Sequence, residues 1–294
     1  MPNPVGFHFS KIVIIESLDA VDLKTGAKIA ALVSSLKETH HIELTVEYHE
    51  CDNVVEFETL LNVLTLDVKS TGRIPLLHVE CHGNKLTGLQ FTNGSWLSWP
   101  DLSRLLVTLN EATRFNLVSV FCACYGAHFM EQLGCIDPAP FYAMIAPTED
   151  VYPEEILSGF RTFYAALFSS TDAGSAVSAM KKLNLAYGKW FIQRADFWYE
   201  RVAIGYVETH CTRLEAKRRA LSMCQKLRSV GVSSDLGKLR RELTQSNRTN
   251  LVGKYFERYF MTSAVPETFG RFGSVRLRIE QQLTDLRKTG RYAV

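Results

Sequence analysis

Long hydrophobic runs are missing from this chain. No stretch of its 294 residues approaches the roughly 18 apolar residues that cross a bilayer, so no membrane partner is expected. The opening MPNPVGFHFSK has no basic segment followed by an apolar one, which argues against a secretory leader. Cysteine is scarce and odd in number. Seven residues spread over the chain speak against a disulfide framework and for a reducing compartment, with the cytoplasm as the expected location. The glycosylation patterns at Asn93 and Asn247 are then accidental. Phosphate-binding glycine motifs are lacking too. ESLDAVDLKTG, after the first strand-like run, holds neither the dinucleotide fingerprint nor a Walker A Lys-Ser/Thr. Internal repeats and low-complexity tracts are also absent.

Net charge is small, at +2, but it conceals an asymmetry. Residues 197–294 hold 19 Lys and Arg against 9 Asp and Glu, a formal +10, which leaves residues 1–196 at −8. The basic residues are interleaved with apolar ones at helical spacing. They read as solvated helical faces of a regulatory or interaction module whose expected partner is a protein; nucleic acid is not expected.

What is present is an alternation of strand and helix signals over residues 1–196. Apolar or alternating runs at 11–18, 41–50, 74–80, 116–123, 141–147 and 189–195 predict six strands. Helical periodicity at 22–38, 54–66 and 99–112, and again in two segments after residue 153, separates them. Near-continuous apolar strands imply an α/β fold, a mostly parallel six-stranded sheet covered by helices on both faces. Residues 197–294 predict an all-helical extension: one long helix or a pair, then segments around 235–244, 250–261 and 275–288.

In such a sheet chemistry gathers beyond the carboxyl ends of the strands. Two ends carry reactive side chains: IPLLHVE-Cys81-His82-Gly83 and NLVSVF-Cys122-Ala123-Cys124-Tyr125-Gly126. If these strands are neighbours, an imidazole and a thiol project side by side, as a cysteine nucleophile and its general base require. A helix beginning after Gly126 would place its N-terminus near the thiol and favour the thiolate. Gly83 lets the backbone approach a carbonyl and aim its N–H at an oxyanion.

These residues resemble the His-Gly and Ala-Cys-x-Gly pair of caspase-like (clan CD) cysteine peptidases, and most closely the CHAT branch related to separase and metacaspases. LTGLQFTNGSWLSWPDLSRLL is similar to the CHAT stretch between His and Cys, and FYAMIAPTEDVYPEEILSGFRTFYAALF to the segment after the cysteine. The resemblance covers about residues 70–195. It implies His82 as general base and acid, Cys124 as nucleophile, and the N–H groups of Gly83 and Cys124 as the oxyanion hole. Cys122 is then a neighbouring packing residue, and no third catalytic residue is implied. Asp150, with Glu149 in reserve, is the candidate for holding a basic P1 side chain of a protein substrate. The resemblance further implies an endopeptidase acting through an acyl-enzyme. No cofactor and no metal ligand is assigned, and although some metacaspase relatives require calcium, no acidic cluster stands out as its site. Regulation by a partner or signal is implied as well, as in prokaryotic immune and cell-death systems.

Other readings attach to the same residues. A non-catalytic caspase-like scaffold would bind a partner through the basic helices. Cys81, His82, Cys122 and Cys124 are four possible zinc ligands, although adjacent Cys81 and His82 should face opposite ways in an extended chain. His78 is expected to be a satisfied core residue and His128 to face a helix surface. Cys51, Cys135, Cys211 and Cys224 are expected to be packing residues.

Overall fold

The computed structural model describes residues 8–134, 136–170, 172–187 and 189–294. The first seven residues and Cys135, assigned above to packing, lie outside the described residues. The chain divides into two compact units. One comprises residues 8–133 and 139–194; the other comprises Gly134–Pro138 with Ala195–Val294.

The first unit is an α/β sheet domain. Its elements run β1 (Lys11–Ser17), α1 (Thr25–Thr39), β2 (Thr45–Glu50), α2 (Val54–Thr71), β3 (Pro75–Asn84), β4 (Gly88–Gln90) and β5 (Trp96–Leu97). There follow α3 (Trp99–Ala112), β6 (Val118–Cys122), a 3-10 helix (Gly126–Gln132), β7 (Ala143–Pro147), α4 (Pro153–Ser170), α5 (Ala173–Tyr187) and β8 (Trp190–Arg194). The main strand order is β2-β1-β3-β6-β7-β8, parallel throughout except for β8. β1 and β6 are buried along their whole length, their apolar runs 12–15 and 120–122 together with the polar Lys11, Glu16, Ser17 and Ser119. α1 packs with α4 and α4 with α5, while α2 packs with α3, so two helical layers clothe the sheet.

The six-strand expectation needs correction, because among the described residues the sheet has eight strands. The additional two form a hairpin that pairs β4 onto the end of β3 and β5 onto β4. Local chemistry explains it. Asn84 Oδ1 accepts the N–H groups of Leu86 and Thr87, closing the turn. Gly88 follows at φ 116°, where a Cβ would collide with the Leu97 carbonyl. β3 therefore continues past the parallel sheet, carrying His82 and Gly83 out with it.

Helix boundaries follow their caps. Asn53 accepts the Glu56 N–H at the start of α2, the Glu56 carboxylate accepts the Asp52 N–H, and left-handed Gly72 ends the helix. Ser98 caps α3, with Pro100 in its first turn. Lys24 gives α1 no side-chain cap, and a strand supplies one instead: Glu16 at the end of β1 accepts from the N–H groups of Gly26 and Ala27 at 2.6 and 3.4 Å.

The second unit is helical: α6 (Ala195–His210), α7 (Arg213–Ser229), α8 (Leu236–Val252), α9 (Lys254–Tyr259), α10 (Glu267–Arg271) and α11 (Gly273–Lys288). The segment read as one helix or two is a pair, broken at Cys211, with Thr212 capping α7 through the Glu215 N–H. Tyr199, Leu251, Phe256, Tyr259, Phe260, Ile279 and Leu283 are buried, as are Cys211 and Cys224. Asn247 is buried as well and donates to the Ala293 carbonyl, so it is not presented as a glycan acceptor. Among the described residues no helix is long and apolar enough to cross a membrane.

Candidate active site

The strand order reverses direction between β1 and β3: β1 connects outward to β2, and β3 toward β6. A crevice opens beyond the carboxyl ends at such a switch point. The residues singled out by sequence lie there.

β3 and β6 are parallel neighbours, with Glu80 opposite Cys122. Continued by two residues, that register sets His82 opposite Cys124, just past the end of β6. Alternation places residues 78, 80 and 82 on one face. That face is polar where the strands are buried. His78 Nε2 lies 2.7 Å from Glu80 Oε1 and 3.4 Å from Cys122 Sγ, and His78 Nδ1 is 2.9 Å from the Tyr164 hydroxyl. Thr25 at the start of α1 donates to Glu80 Oε2, and Tyr48 donates to Glu16 Oε2. Glu16, Glu80 and His78 are all fully buried. This network beneath the strand ends went unread in the sequence, although two glutamates inside apolar strands were its signal.

Gly83 is required by contact. A Cβ there would collide with the Cys124 carbonyl oxygen and lie 3.0 Å from the Ala123 Cβ, so only glycine lets the two strand ends close on each other. Gly126 is tight but less so: its Cβ would meet that of Ala146 at 3.2 Å. Between them Tyr125 takes a left-handed conformation, φ 60°, turning the chain sharply after the cysteine.

His82 is half exposed, and its Nε2 lies 3.0 Å from Asp22 Oδ2 in the loop after β1. Burial pulls the Asp22 carboxyl upward, but the hydrogen bonds from His82 and the Asp19 N–H, with the charges of His82 and Lys24, hold it below its ordinary value. Asp22 is the residue that sequence reasoning missed. Its signal was an acidic side chain following β1 at the switch point, in a loop read only for phosphate motifs.

Cys124 is half-buried, while Cys51, Cys81, Cys122, Cys211 and Cys224 are buried, so it is the most accessible thiol among the described residues. Burial pushes its titration up. The N–H groups of Val151 and of Cys124 itself oppose this, and the charge and hydrogen bond of Asp150 add to it, leaving the thiol above its ordinary value. The expected help from a helix N-terminus is therefore corrected: the segment from Gly126 is a short 3-10 helix, and burial, with Asp150 adding to it, outweighs the N–H groups that favour the thiolate. That loop is pinned. Tyr125 N–H donates to the Glu149 carbonyl, the Tyr125 hydroxyl lies 3.3 Å from Asp150 Oδ2, and Lys189 bridges the Asp150 carbonyl and Glu155.

The structure thus brings Cys124, Asp150 and the Glu149 backbone together, and His82 with Asp22. It does not join His82 to Cys124 by a hydrogen bond; each is engaged by its own carboxylate. Compared with protein-family models and with curated proteins, the chain matches none.

The four-ligand zinc set is not assembled. Cys122 clusters with His78 and Glu80, and His82 with Asp19 and Asp22, among the described residues. In the first cluster the His78–Glu80 hydrogen bond and the Tyr164 contact already use both imidazole nitrogens. His128 is half-buried and pairs with Glu131 at 2.8 Å.

Proposed function

We propose that the chain is a caspase-like cysteine endopeptidase of the CHAT type, acting in the cytoplasm on a protein substrate. The observation that carries this reading is the close packing of Gly83, the residue after His82, on the Cys124 backbone just beyond the β3–β6 pair. His82 takes the thiol proton as the Cys124 sulfur attacks the scissile carbonyl, forming a C–S bond while the carbonyl π pair moves onto oxygen. The oxyanion faces the N–H groups of Gly83 and Cys124. The C–N bond breaks as the His82 imidazolium protonates the departing amine. Water, deprotonated by His82, then cleaves the thioester and restores the thiol. Asp22 orients the imidazole as a positioning residue.

The separate engagement of His82 and Cys124 fits an enzyme held latent. Burial first and Asp150 second hold the thiol protonated, and a P1 lysine or arginine drawn to Asp150 would neutralise the charge that adds to the burial. The basic helical unit fits a regulatory module whose partner releases the latency, as in an immune or cell-death system. A positional-scanning peptide library without enrichment of P1 Lys or Arg would remove the Asp150 assignment.

The same separation also supports a second reading, a non-catalytic scaffold. Intact-mass labelling by a peptidyl chloromethyl ketone, in a Cys135→Ser background, separates the two. One adduct is expected on the parent and on Cys122→Ala, none on Cys124→Ala, and a greatly slowed one on His82→Ala. Labelling indifferent to His82 favours the scaffold; labelling that survives Cys124→Ala rejects the nucleophile.

A further inference from the structure

The helical unit contains a cavity of about 790 Å3, a volume that suits a small ligand. Five arginines line it: Arg213 at the start of α7, Arg240, Arg241 and Arg248 on α8, and Arg287 on α11. The α8 residues fall at spacings of seven and eight, so one stripe of that helix faces the cavity. No lining side chain is a carboxylate. Nearby acids are engaged elsewhere: Glu215 pairs with Arg218, Asp285 with Lys288, and Asp235 caps α8. Arg248 donates to Thr284 Oγ1, while the side chains of Arg213, Arg240, Arg241 and Arg287 form no ion pair among the described residues.

The walls are fixed. Residues 291–293 are tied to the α7 entrance and to α8: Arg213 N–H donates to the Arg291 carbonyl at 2.9 Å, Ala293 N–H to the Cys211 carbonyl at 2.7 Å, and Asn247 Nδ2 to the Ala293 carbonyl at 3.0 Å. The guanidiniums are thus gathered from three helices around a built recess, instead of lying along an open stripe.

Val294, the last residue of the sequence, brings one main-chain carboxylate to the wall, so five guanidiniums leave a net excess of about four positive charges. That excess raises the energy of the empty cavity, and an anion of matching charge removes the cost. Guanidinium forks fit phosphate oxygens in pairs. Several linked phosphates bring enough negative charge into this volume, whereas one carboxylate does not. The recess suits a compact ligand better than a nucleic-acid track, which needs charges spread along a groove. We propose that this cavity binds a small polyphosphorylated anion, such as a nucleoside polyphosphate or a short inorganic polyphosphate. Such a ligand would make the helical unit a sensor, independently of the peptidase reading.

Calorimetry on the full chain with inorganic phosphate, tripolyphosphate, ATP, a single-stranded RNA oligonucleotide and a polyglutamate peptide tests this. Tripolyphosphate is expected to occupy one site per chain, at least about tenfold more tightly than phosphate, and to weaken as salt rises. ATP binding more tightly than tripolyphosphate identifies a nucleotide; equal binding identifies the phosphate chain as sufficient. Arg240→Gln/Arg241→Gln, and separately Arg287→Gln on another helix, should each weaken tripolyphosphate about tenfold or more. Lys226→Gln/Arg228→Gln, outside the cavity, should not. The proposal is overturned by no binding of either polyphosphate at millimolar concentration, by equal losses in the control variant, or by binding of RNA or polyglutamate alone.

Discussion

The two units treat concentrated charge in opposite ways. In the sheet unit Glu16 and Glu80 are fully buried, and all four of their oxygens meet partners: the α1 N–H groups, Tyr48, Thr25 and His78. In the helical unit five guanidiniums share a cavity with no carboxylate side chain on its walls. A buried charge with every partner supplied by the chain is framework; gathered charge lacking one marks a place for something the chain does not contain. The strand-end site stands between these cases, with each of its reactive groups held by an acid.

The strongest way to break this contrast is to remove a framework charge. Glu80→Ala leaves the His78 Nε2 with only the Cys122 sulfur and the Thr25 hydroxyl without its carboxylate in a site that water does not reach, and should destabilise the sheet unit by about 3–5 kcal/mol. Urea unfolding followed by tryptophan fluorescence reads this, since three of the chain's four tryptophans, all but Trp198, lie in the sheet unit. A loss below about 1 kcal/mol would place the network outside the framework.

Next in size is Gly83→Ala. The added methyl meets the Cys124 backbone, which cannot move as a flexible side chain would, so about 1–3 kcal/mol of stability should be lost. Cys124 labelling should fall with it. Gly94→Ala, whose Cβ meets nothing within 4 Å although φ is 84°, is the comparison that isolates collision from backbone strain. Equal losses in the two variants would deny Gly83 its packing role.

The sheet was legible because its strands are continuous apolar runs bounded by polar turns, which forces burial on both faces. The stretch before α3 was legible as a Gly- and Asn-containing hairpin, but its two- and three-residue strands carry too little pattern to be counted into the sheet. His82 and Cys124 could be named from their places at strand ends. Asp22 could not, because its role depends on β1 lying beside β3, a neighbourhood that local pattern does not encode. The arginine stripe of α8 was legible as basic residues at helical spacing, but its enclosure required α7, α11 and residues 291–293 to close around it.

Asp22 supplies a third and smaller test. Asp22→Asn keeps the shape but weakens the grip on His82 Nε2, and peptidyl-ketone labelling of Cys124 should slow by about tenfold without a matching change in unfolding midpoint. Asp22→Glu should restore part of the rate. Because the fold holds the Asp22 carboxyl low, its contribution to stability is present above the unfolded-chain titration and is lost as pH falls through the lowered value. Parent and Asp22→Asn midpoints should therefore converge in acid.

The smallest effect concerns Asp150, and it decides how the strand-end site is restrained. Two forces hold the Cys124 thiol protonated: burial, which is the larger, and the neighbouring carboxylate. Asp150→Asn removes the charge and leaves the burial. The thiolate should then form at lower pH, shifting the iodoacetamide rate profile toward acid and raising the rate at pH 8 by about threefold. The reagent is small and neutral, so loss of a substrate pocket does not enter. An unmoved profile would mean that burial alone restrains the sulfur. A basic P1 side chain could then not activate it through Asp150, and the release of latency would have to come from movement of the Thr148–Tyr152 loop instead.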